Sequence, residues 1–190
     1  MKKLLLLSTI ATMLLGGAYL LADDDDHYKK VNVNQRLGTE TTTQLPDSPQ
    51  QKSYVKECGS CHIAYQPEFL PSRSWDKMMG GLEDHFGVDA TVGAEEGKIL
   101  SAYLRENAAD SKRVGKHFAK TAASIGANDA PLRISDTPYF KKEHRGIPQK
   151  YIDQKEVKSI ANCNACHQKA ASGDYRERGI FIPNYGPWKD

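Results

Sequence analysis

The sequence predicts a mainly α-helical protein in two parts, each organised around one Cys-x-x-Cys-His motif. Apolar residues recur at helical intervals of three and four over several stretches of the 190-residue chain. The motifs occupy residues 58–62 and 163–167, and together they contain all four cysteines of the chain. Neither motif lies in a strand–helix–strand pattern, so we expect no parallel sheet around them.

Each motif has the chemistry needed for covalent haem attachment. Its two thiols lie one helical turn apart, where they can add across the two vinyl groups of a haem, and the adjacent histidine can bind the iron. No cysteine is left over for a disulfide. We therefore predict two covalently bound haem c groups, held by Cys58, Cys61 and His62 and by Cys163, Cys166 and His167.

Zinc binding and dithiol redox chemistry are the other common uses of paired cysteines. A zinc ribbon separates its pairs by about 15–20 residues and needs no histidine in each pair. These pairs are separated by roughly a hundred residues, which argues against a four-cysteine zinc site. A thioredoxin-like dithiol would begin a helix after a strand, and no such pattern is visible here.

Residues 1–22 read as a secretory signal, with a basic start, an apolar run and a small residue before four aspartates. Leu20 is larger than the residue preferred at its position, so an uncleaved membrane anchor is the alternative. Residues 23–46 are polar and predict a flexible leader, in which His27 is an exposed histidine and not a ligand. Export agrees with haem attachment, because c-type haem is attached outside the cytoplasm.

The predicted mature chain is close to neutral. Residues 1–22 contain two lysines and no acid, so the 26 basic and 24 acidic residues of the whole chain become 24 and 24. Haem propionates would make the protein somewhat acidic, which argues against a nucleic-acid-binding surface. The remaining length suits two small haem domains, which we place at residues 47–110 and 111–190.

The first domain is predicted to contain three helices. Ser48 and Pro49 form a helix start, and this helix runs into Cys58. In residues 72–87 an apolar stripe at intervals of three and four ends on His85, which places this histidine on the buried face. Residues 95–109 complete the module, with the inward face Ile99, Leu100, Tyr103 and Leu104. This helix order resembles that of small single-haem cytochromes c.

The sixth ligand of the first haem is predicted to be His85. Neutral imidazole is among the commonest metal ligands, and a histidine on a buried stripe needs a partner. A carbonyl-bonded core histidine is the plain alternative. Met78 or Met79 could also supply a thioether ligand, although both are well placed to fill the core.

The second domain is predicted to contain helices at residues 111–125 and 137–144 and from about residue 153 to the second motif. The inward face of the first is Val114, Phe118, Ala122 and Ile125, with His117 beside it as a surface histidine. The 23 residues after His167 contain neither histidine nor methionine. The second haem must therefore take its sixth ligand from upstream or from another chain, or have none, and His144, which shares a face with Phe140, is the leading candidate. Residues 173–183 are interpreted as an apolar cover over a haem edge.

Two imidazoles on each iron would leave no open position. Saturated ligation favours outer-sphere electron transfer, and imidazole in place of a thioether lowers the reduction potential. A dihaem peroxidase is the alternative, because it needs one iron that can lose its ligand and a distal acid or base. Glu83 and Asp84 lie near His85, but they fit a solvated face more simply.

The two haem motifs and several runs near them resemble the bacterial dihaem cytochrome c family, over about residues 48–184. The resemblance lies in residues 57–62 followed by Ala-Tyr-Gln-Pro at 64–67, the segment 75–87, Arg-Ile-Ser-Asp-Thr-Pro at 133–138 leading to His144, and the second motif at 163–167. The resemblance implies a small-cytochrome-like first domain, an irregular helical second domain, and ligation by His62 with His85 and by His167 with His144. It also implies a periplasmic electron carrier whose partner is a single-haem oxygen-binding cytochrome, with membrane cytochromes b as further partners. The leader at residues 23–46 is outside the resemblance.

Overall fold

The computed structural model describes residues 47–116 and 118–188, which belong to one compact unit. This part of the chain is mainly α-helical, with one antiparallel pair of two-residue strands. None of its helices combines the length and the apolar character needed to span a bilayer. The predicted signal, the leader and His27, together with His117, lie outside the described residues. The boundary at residue 110 stays a prediction.

The first half consists of three helices around an apolar core. Helix α1, Pro49–Cys58, begins where Ser48 Oγ accepts a hydrogen bond of 3.1 Å from the Gln51 N–H, as the sequence predicted. A 3₁₀-helix, Pro67–Phe69, leads into α2, Ser72–Met79, and a second, Leu82–Asp84, precedes α3, Ala94–Glu106. Both α1 and α2 pack on α3. The buried core residues are Tyr54, Leu70, Trp75, Leu100, Tyr103, Leu104 and Ala108.

The second half contains shorter elements and fewer buried apolar side chains. Its helices are α4, Ala119–Ser124, α5, Pro138–His144, α6, Gln149–Ile152, and α7, Cys163–Cys166. Three 3₁₀-helices, Ile134–Asp136, Ala170–Ser172 and Glu177–Gly179, and strands β1, Phe181–Ile182, and β2, Gly186–Pro187, complete it. Its buried apolar residues are Phe118, Val157, Ala170 and Ile182. The prediction for α5 is confirmed, since Thr137 Oγ1 accepts a hydrogen bond from the Phe140 N–H.

The helices predicted for residues 72–87 and 111–125 are shorter than expected, and the helix predicted from about residue 153 does not form. The helix predicted for residues 72–87 ends at Met79, because Gly80 follows it and glycine destabilises a helix. The helix predicted for residues 111–125 covers only α4, since a turn at Gly115 precedes it. No continuous helix leads into Cys163, because Lys158 has φ 63°, which an α-helix does not accommodate.

The predicted inward faces are partly wrong as well. Ile99 is 43% exposed, although it was placed on the buried face of α3. Phe118 is buried as predicted, whereas Val114, Ala122 and Ile125 are only half-buried. Apolar periodicity therefore identified the packed side of each element but overestimated how much of it is covered.

Candidate functional site

The first Cys-x-x-Cys-His motif lies where α1 ends. Cys58 is the last helical residue and is half-buried, while Cys61 and His62 are exposed. The imidazole rings of His62 and His85 lie close together, with centroids 6.3 Å apart and planes inclined by 24°. We call Cys58, Cys61, His62 and His85 the first site.

His85 reaches this position from a tight loop and not from a continuous helix. The loop is closed by hydrogen bonds of 2.8 Å from the His85 N–H to the Val88 carbonyl and 3.3 Å in the reverse direction. Phe86 has φ 56°, a left-handed conformation that is rare and strained for a bulky side chain. The Arg133 guanidinium lies 3.9 Å from the Phe86 ring centroid. His85 is therefore positioned by a loop with a left-handed residue, which the apolar pattern of the sequence did not predict.

The second site consists of Cys163, Cys166, His167 and His144. The rings of His144 and His167 have centroids 6.2 Å apart and planes inclined by 60°. It lies in a cavity of about 630 Å³, a size typical of cofactor pockets. Apolar side chains that line this cavity include Phe140, Ile180, Ile182 and Trp188. The predicted cover segment at residues 173–183 thus contributes to the wall of the second site.

Helix α5 holds His144 firmly. The ring of His144 stacks on Phe140, with centroids 3.8 Å apart and planes inclined by 9°. Its Nδ1 lies 2.9 Å from the Phe140 carbonyl oxygen, which leaves Nε2 available to bind a metal. In the first site, His62 Nδ1 is similarly 2.7 Å from the Ile63 carbonyl. His167 Nδ1, by contrast, is buried and has no hydrogen-bond partner in the described part of the chain.

The histidine pairs fit an iron atom between them. Metal–imidazole bonds of about 2.0–2.1 Å and a ring radius of about 1.1 Å place the centroids of two opposed ligands about 6.3 Å apart. The observed separations are 6.3 and 6.2 Å. Each pair is therefore spaced as two axial ligands of one metal are, and each lies beside a pair of cysteines that form no disulfide.

Burial favours the neutral forms of His85, His144 and His167 and of the thiols of Cys58 and Cys163. Burial lowers the pKa of His167 to about 4, with a further contribution from His144. Burial also lowers the pKa of His144 and, together with His62 and Arg133, that of His85. Burial raises the pKa of Cys58 and of Cys163 to about 11. Neutral imidazole is the form that binds a metal.

The methionine alternative finds no support in the packing. Met78 and Met79 lie against the apolar core of the first half, as expected for core filling. The zinc alternative finds no support either, since the described residues contain no group of three or more His, Cys, Asp or Glu side chains that could together hold one metal ion directly.

Two residues just after the first motif connect the sites, and sequence reasoning missed both. The Tyr65 hydroxyl donates a hydrogen bond to the Ala161 carbonyl, and Gln66 Nε2 donates one to the Ala170 carbonyl. These partners flank the second motif. Their separations along the chain are 96 and 104 residues, which no local pattern reveals.

Comparison with known proteins identifies the class of protein. The family model for dihaem cytochrome c matches residues 54–175. The crystal structure of a dihaem cytochrome c from Shewanella baltica OS155 is similar, with 30% identity and a TM-score of 0.62, covering 75% of this chain and 100% of that one. Two Rhodobacter sphaeroides structures, a dihaem cytochrome c and a protein named DHC, have 35% and 34% identity and TM-scores of 0.57 and 0.53. They cover 68% and 65% of this chain and 95% and 96% of their own. No curated protein matches by sequence.

The helical architecture and the paired sites thus define a c-type cytochrome with two haem groups. The chain belongs to the dihaem cytochrome c family, as the resemblance in its sequence predicted, and its cofactors are two haem c groups. Family membership indicates an electron-transfer cytochrome.

Proposed function

We propose that this protein is a periplasmic carrier that passes single electrons between redox proteins by outer-sphere transfer, and that it is not an enzyme. The observation that supports this proposal most directly is the opposed pair of imidazoles at each site, 6.3 and 6.2 Å apart. If both histidines of a pair bound the same iron, no position would remain at which a substrate could bind the metal.

The proposed ligands are His62 with His85 at the first site and His167 with His144 at the second. Cys58 and Cys61, and Cys163 and Cys166, form the thioether bonds. When bound, haem c supplies a one-electron couple between ferric and ferrous iron, and imidazole ligation on both faces lowers its potential relative to histidine–methionine ligation. The protein would supply the imidazole ligands, and at the second site it also supplies a cavity lined in part by apolar side chains.

The location and the partner are proposed from the sequence and the family. The secretory signal predicted for residues 1–22, whether cleaved or kept as an anchor, supports export to the periplasm. The family resemblance supports a single-haem oxygen-binding cytochrome as electron acceptor and a membrane cytochrome b as a second partner. Mixing the reduced holoprotein with a purified single-haem cytochrome of this type in a stopped-flow instrument should oxidise both haem groups; unchanged spectra would contradict this choice of partner.

The test of the carrier function is a potentiometric titration of the holoprotein followed by absorption and electron paramagnetic resonance. We expect two low-spin haem groups at every potential. The absorption spectrum should lack the band that a methionine sulfur bound to iron produces, and the protein should not turn over peroxide. A high-spin species in the resting or half-reduced protein, together with rapid peroxide turnover, would instead establish a dihaem peroxidase.

A further inference from the structure

Tyr65 lies between the two haem sites and contacts both. Its ring stacks on the ring of His62, with centroids 4.9 Å apart and planes inclined by 28°. Its hydroxyl donates a hydrogen bond of 2.8 Å to the carbonyl oxygen of Ala161. The same oxygen accepts a hydrogen bond of 3.0 Å from the N–H of Cys163. One side chain therefore joins a proposed ligand of the first site to an attachment residue of the second.

We propose that Tyr65 is the residue through which electrons pass between the two haem sites. The inference rests on the proposed carrier function and deepens it by naming the internal route. One electron leaves the ferrous iron of one site and reduces the ferric iron of the other. Tyr65 itself keeps its electrons and its proton, because its ring and hydroxyl serve only to couple the two sites electronically.

The physical basis is the way in which electron tunnelling depends on the intervening medium. Coupling decays less steeply through covalent bonds, hydrogen bonds and rings in contact than through empty space. From His62 the route crosses one ring contact to Tyr65 and two hydrogen bonds that meet at the Ala161 oxygen. It then follows the covalent bonds of Cys163 to its sulfur. Every step is a bond, a hydrogen bond or a contact between rings.

The surroundings hold this route in place independently of the tyrosine hydroxyl. Tyr54 donates a hydrogen bond of 2.6 Å to the Tyr65 carbonyl. Gln66, which is buried, donates to the Ala170 carbonyl at 3.0 Å and accepts from the Tyr175 hydroxyl at 2.6 Å. The Tyr175 ring in turn lies 5.3 Å from that of His167. Because these contacts remain when the Tyr65 hydroxyl is removed, we expect Tyr65→Phe to fold and to keep both sites aligned.

The test compares internal electron transfer in wild-type and Tyr65→Phe holoprotein. Flash photolysis with a deazaflavin delivers one electron, and freeze-quench paramagnetic resonance follows its redistribution between the haem groups as a phase independent of protein concentration. In Tyr65→Phe we expect this phase to slow several-fold, while both reduction potentials and both low-spin signals stay unchanged. An unchanged rate, or a slower rate accounted for by shifted potentials, would overturn the proposal.

Two further variants sharpen the test. Tyr65→Leu also removes the ring contact with His62, so its internal transfer should be slower than that of Tyr65→Phe. Tyr185→Phe is the matched control, because Tyr185 is half exposed and its ring lies against Tyr151; it should keep the wild-type rate. Equal rates in all four proteins would exclude Tyr65 as the route but leave the carrier function intact. A wild-type protein that cannot be reduced and reoxidised reversibly would instead contradict the carrier function itself.

Discussion

The two haem sites use the same residue types but differ in how far the protein encloses them. In the first site, Cys61 and His62 are exposed, and Phe86 beside His85 is 45% exposed. The second site lies in a cavity of about 630 Å³ walled by α5 and the C-terminal segment. We therefore expect the proposed exchange of electrons with a partner to occur at the first site, where Cys61 and His62 are exposed, whereas the cysteines and histidines of the second site are half-buried.

The sites also differ in how their second histidine is held. His144 lies on a helix, stacks on Phe140 and has a carbonyl acceptor for Nδ1. His85 lies on a loop that includes the strained Phe86. Within the described residues, each site thus pairs one imidazole whose Nδ1 has a hydrogen-bond partner, His62 or His144, with one for which no such partner is found. The imidazole held by a carbonyl oxygen is therefore His62, in the Cys-x-x-Cys-His motif, at the first site, and His144, which precedes the motif in the chain, at the second.

Removal of the second histidine should produce the largest effect. We expect His144→Ala to convert only the second haem to a high-spin or water-ligated form and to raise its potential by on the order of 0.1 V, a fraction of the roughly 0.8 V that axial ligands control. His85→Ala should do the same to the first haem alone. Spectroelectrochemical titration with paramagnetic resonance measures both changes. A second haem that stays six-coordinate at its original potential in His144→Ala would show that His144 is not the ligand.

The next largest effect concerns an external ligand, cyanide, which should bind the two haem sites with different affinities. The hydrogen bond and the ring stack that hold His144 together contribute about 1–3 kcal/mol, which corresponds to a difference of about 5- to 150-fold in binding. Cyanide should therefore displace His85 at correspondingly lower concentration than His144, as followed by absorption and paramagnetic resonance.

The control for this experiment removes the stack at the second site. Phe140→Leu keeps the carbonyl that accepts from His144 but removes the ring, so cyanide affinity should rise at the second site and remain unchanged at the first. Equal cyanide affinities at the two sites of the wild-type protein would show that the loop holds His85 as firmly as the helix holds His144.

The Arg133 side chain should have a smaller effect, confined to the first site. Its guanidinium lies over the Phe86 ring, and an exposed cation–π contact contributes about 0.5–1 kcal/mol. Arg133→Gln should loosen the loop and raise cyanide affinity at the first site by about two- to fivefold. Lys142→Gln removes an exposed charge on α5 and is the control. It should leave the cyanide affinity of the first site unchanged. Unchanged affinity in Arg133→Gln would show that the backbone hydrogen bonds alone hold the loop.

Features that depend on neighbouring residues could be predicted from the sequence. The motifs indicated haem, Ser48 and Thr137 marked helix starts, and the four-residue spacing predicted that Phe140 and His144 share a face. Such features are local, because a cap or a ring stack involves one or two helical turns.

Other features could not be predicted, because their causes are not local or not periodic. His85 was correctly placed near the first motif, but the helix expected to carry it ends at Met79. A stripe of apolar residues indicates a packed side whether the backbone continues as a helix or turns through a 3₁₀-helix and a left-handed residue. The contacts of Tyr65 and Gln66 with the second half join residues about a hundred positions apart. Neither a tyrosine nor a glutamine indicates by its residue type that it has so distant a partner.

Glu68 offers the smallest expected effect and tests whether the two sites share one cooperative unit. Its side chain is buried, and burial raises its pKa above that of an exposed glutamate, which is about 4.3. The folded chain therefore holds this proton more tightly than the unfolded chain, so stability falls as the pH rises from about 4.3 towards the folded pKa and stays lower above it. Glu68→Gln should be more stable than wild type at pH 7 and equal to it in acid, as measured by thermal unfolding at several pH values.

The charge of Glu68 interacts with Tyr54, which also interacts with Cys58 of the first site. It interacts as well with Tyr175, whose ring lies beside that of His167 at the second site. Because residues on both sides of the carboxyl belong to one compact unit, the gain in melting temperature in Glu68→Gln should be the same whether unfolding is followed at the first haem or at the second. Glu83→Gln, an exposed neutralisation near the first site, should leave the pH profile unchanged. Parallel profiles of Glu68→Gln and wild type would show that Glu68 ionises no differently in the folded chain, and different gains at the two haem groups would show that the sites unfold separately.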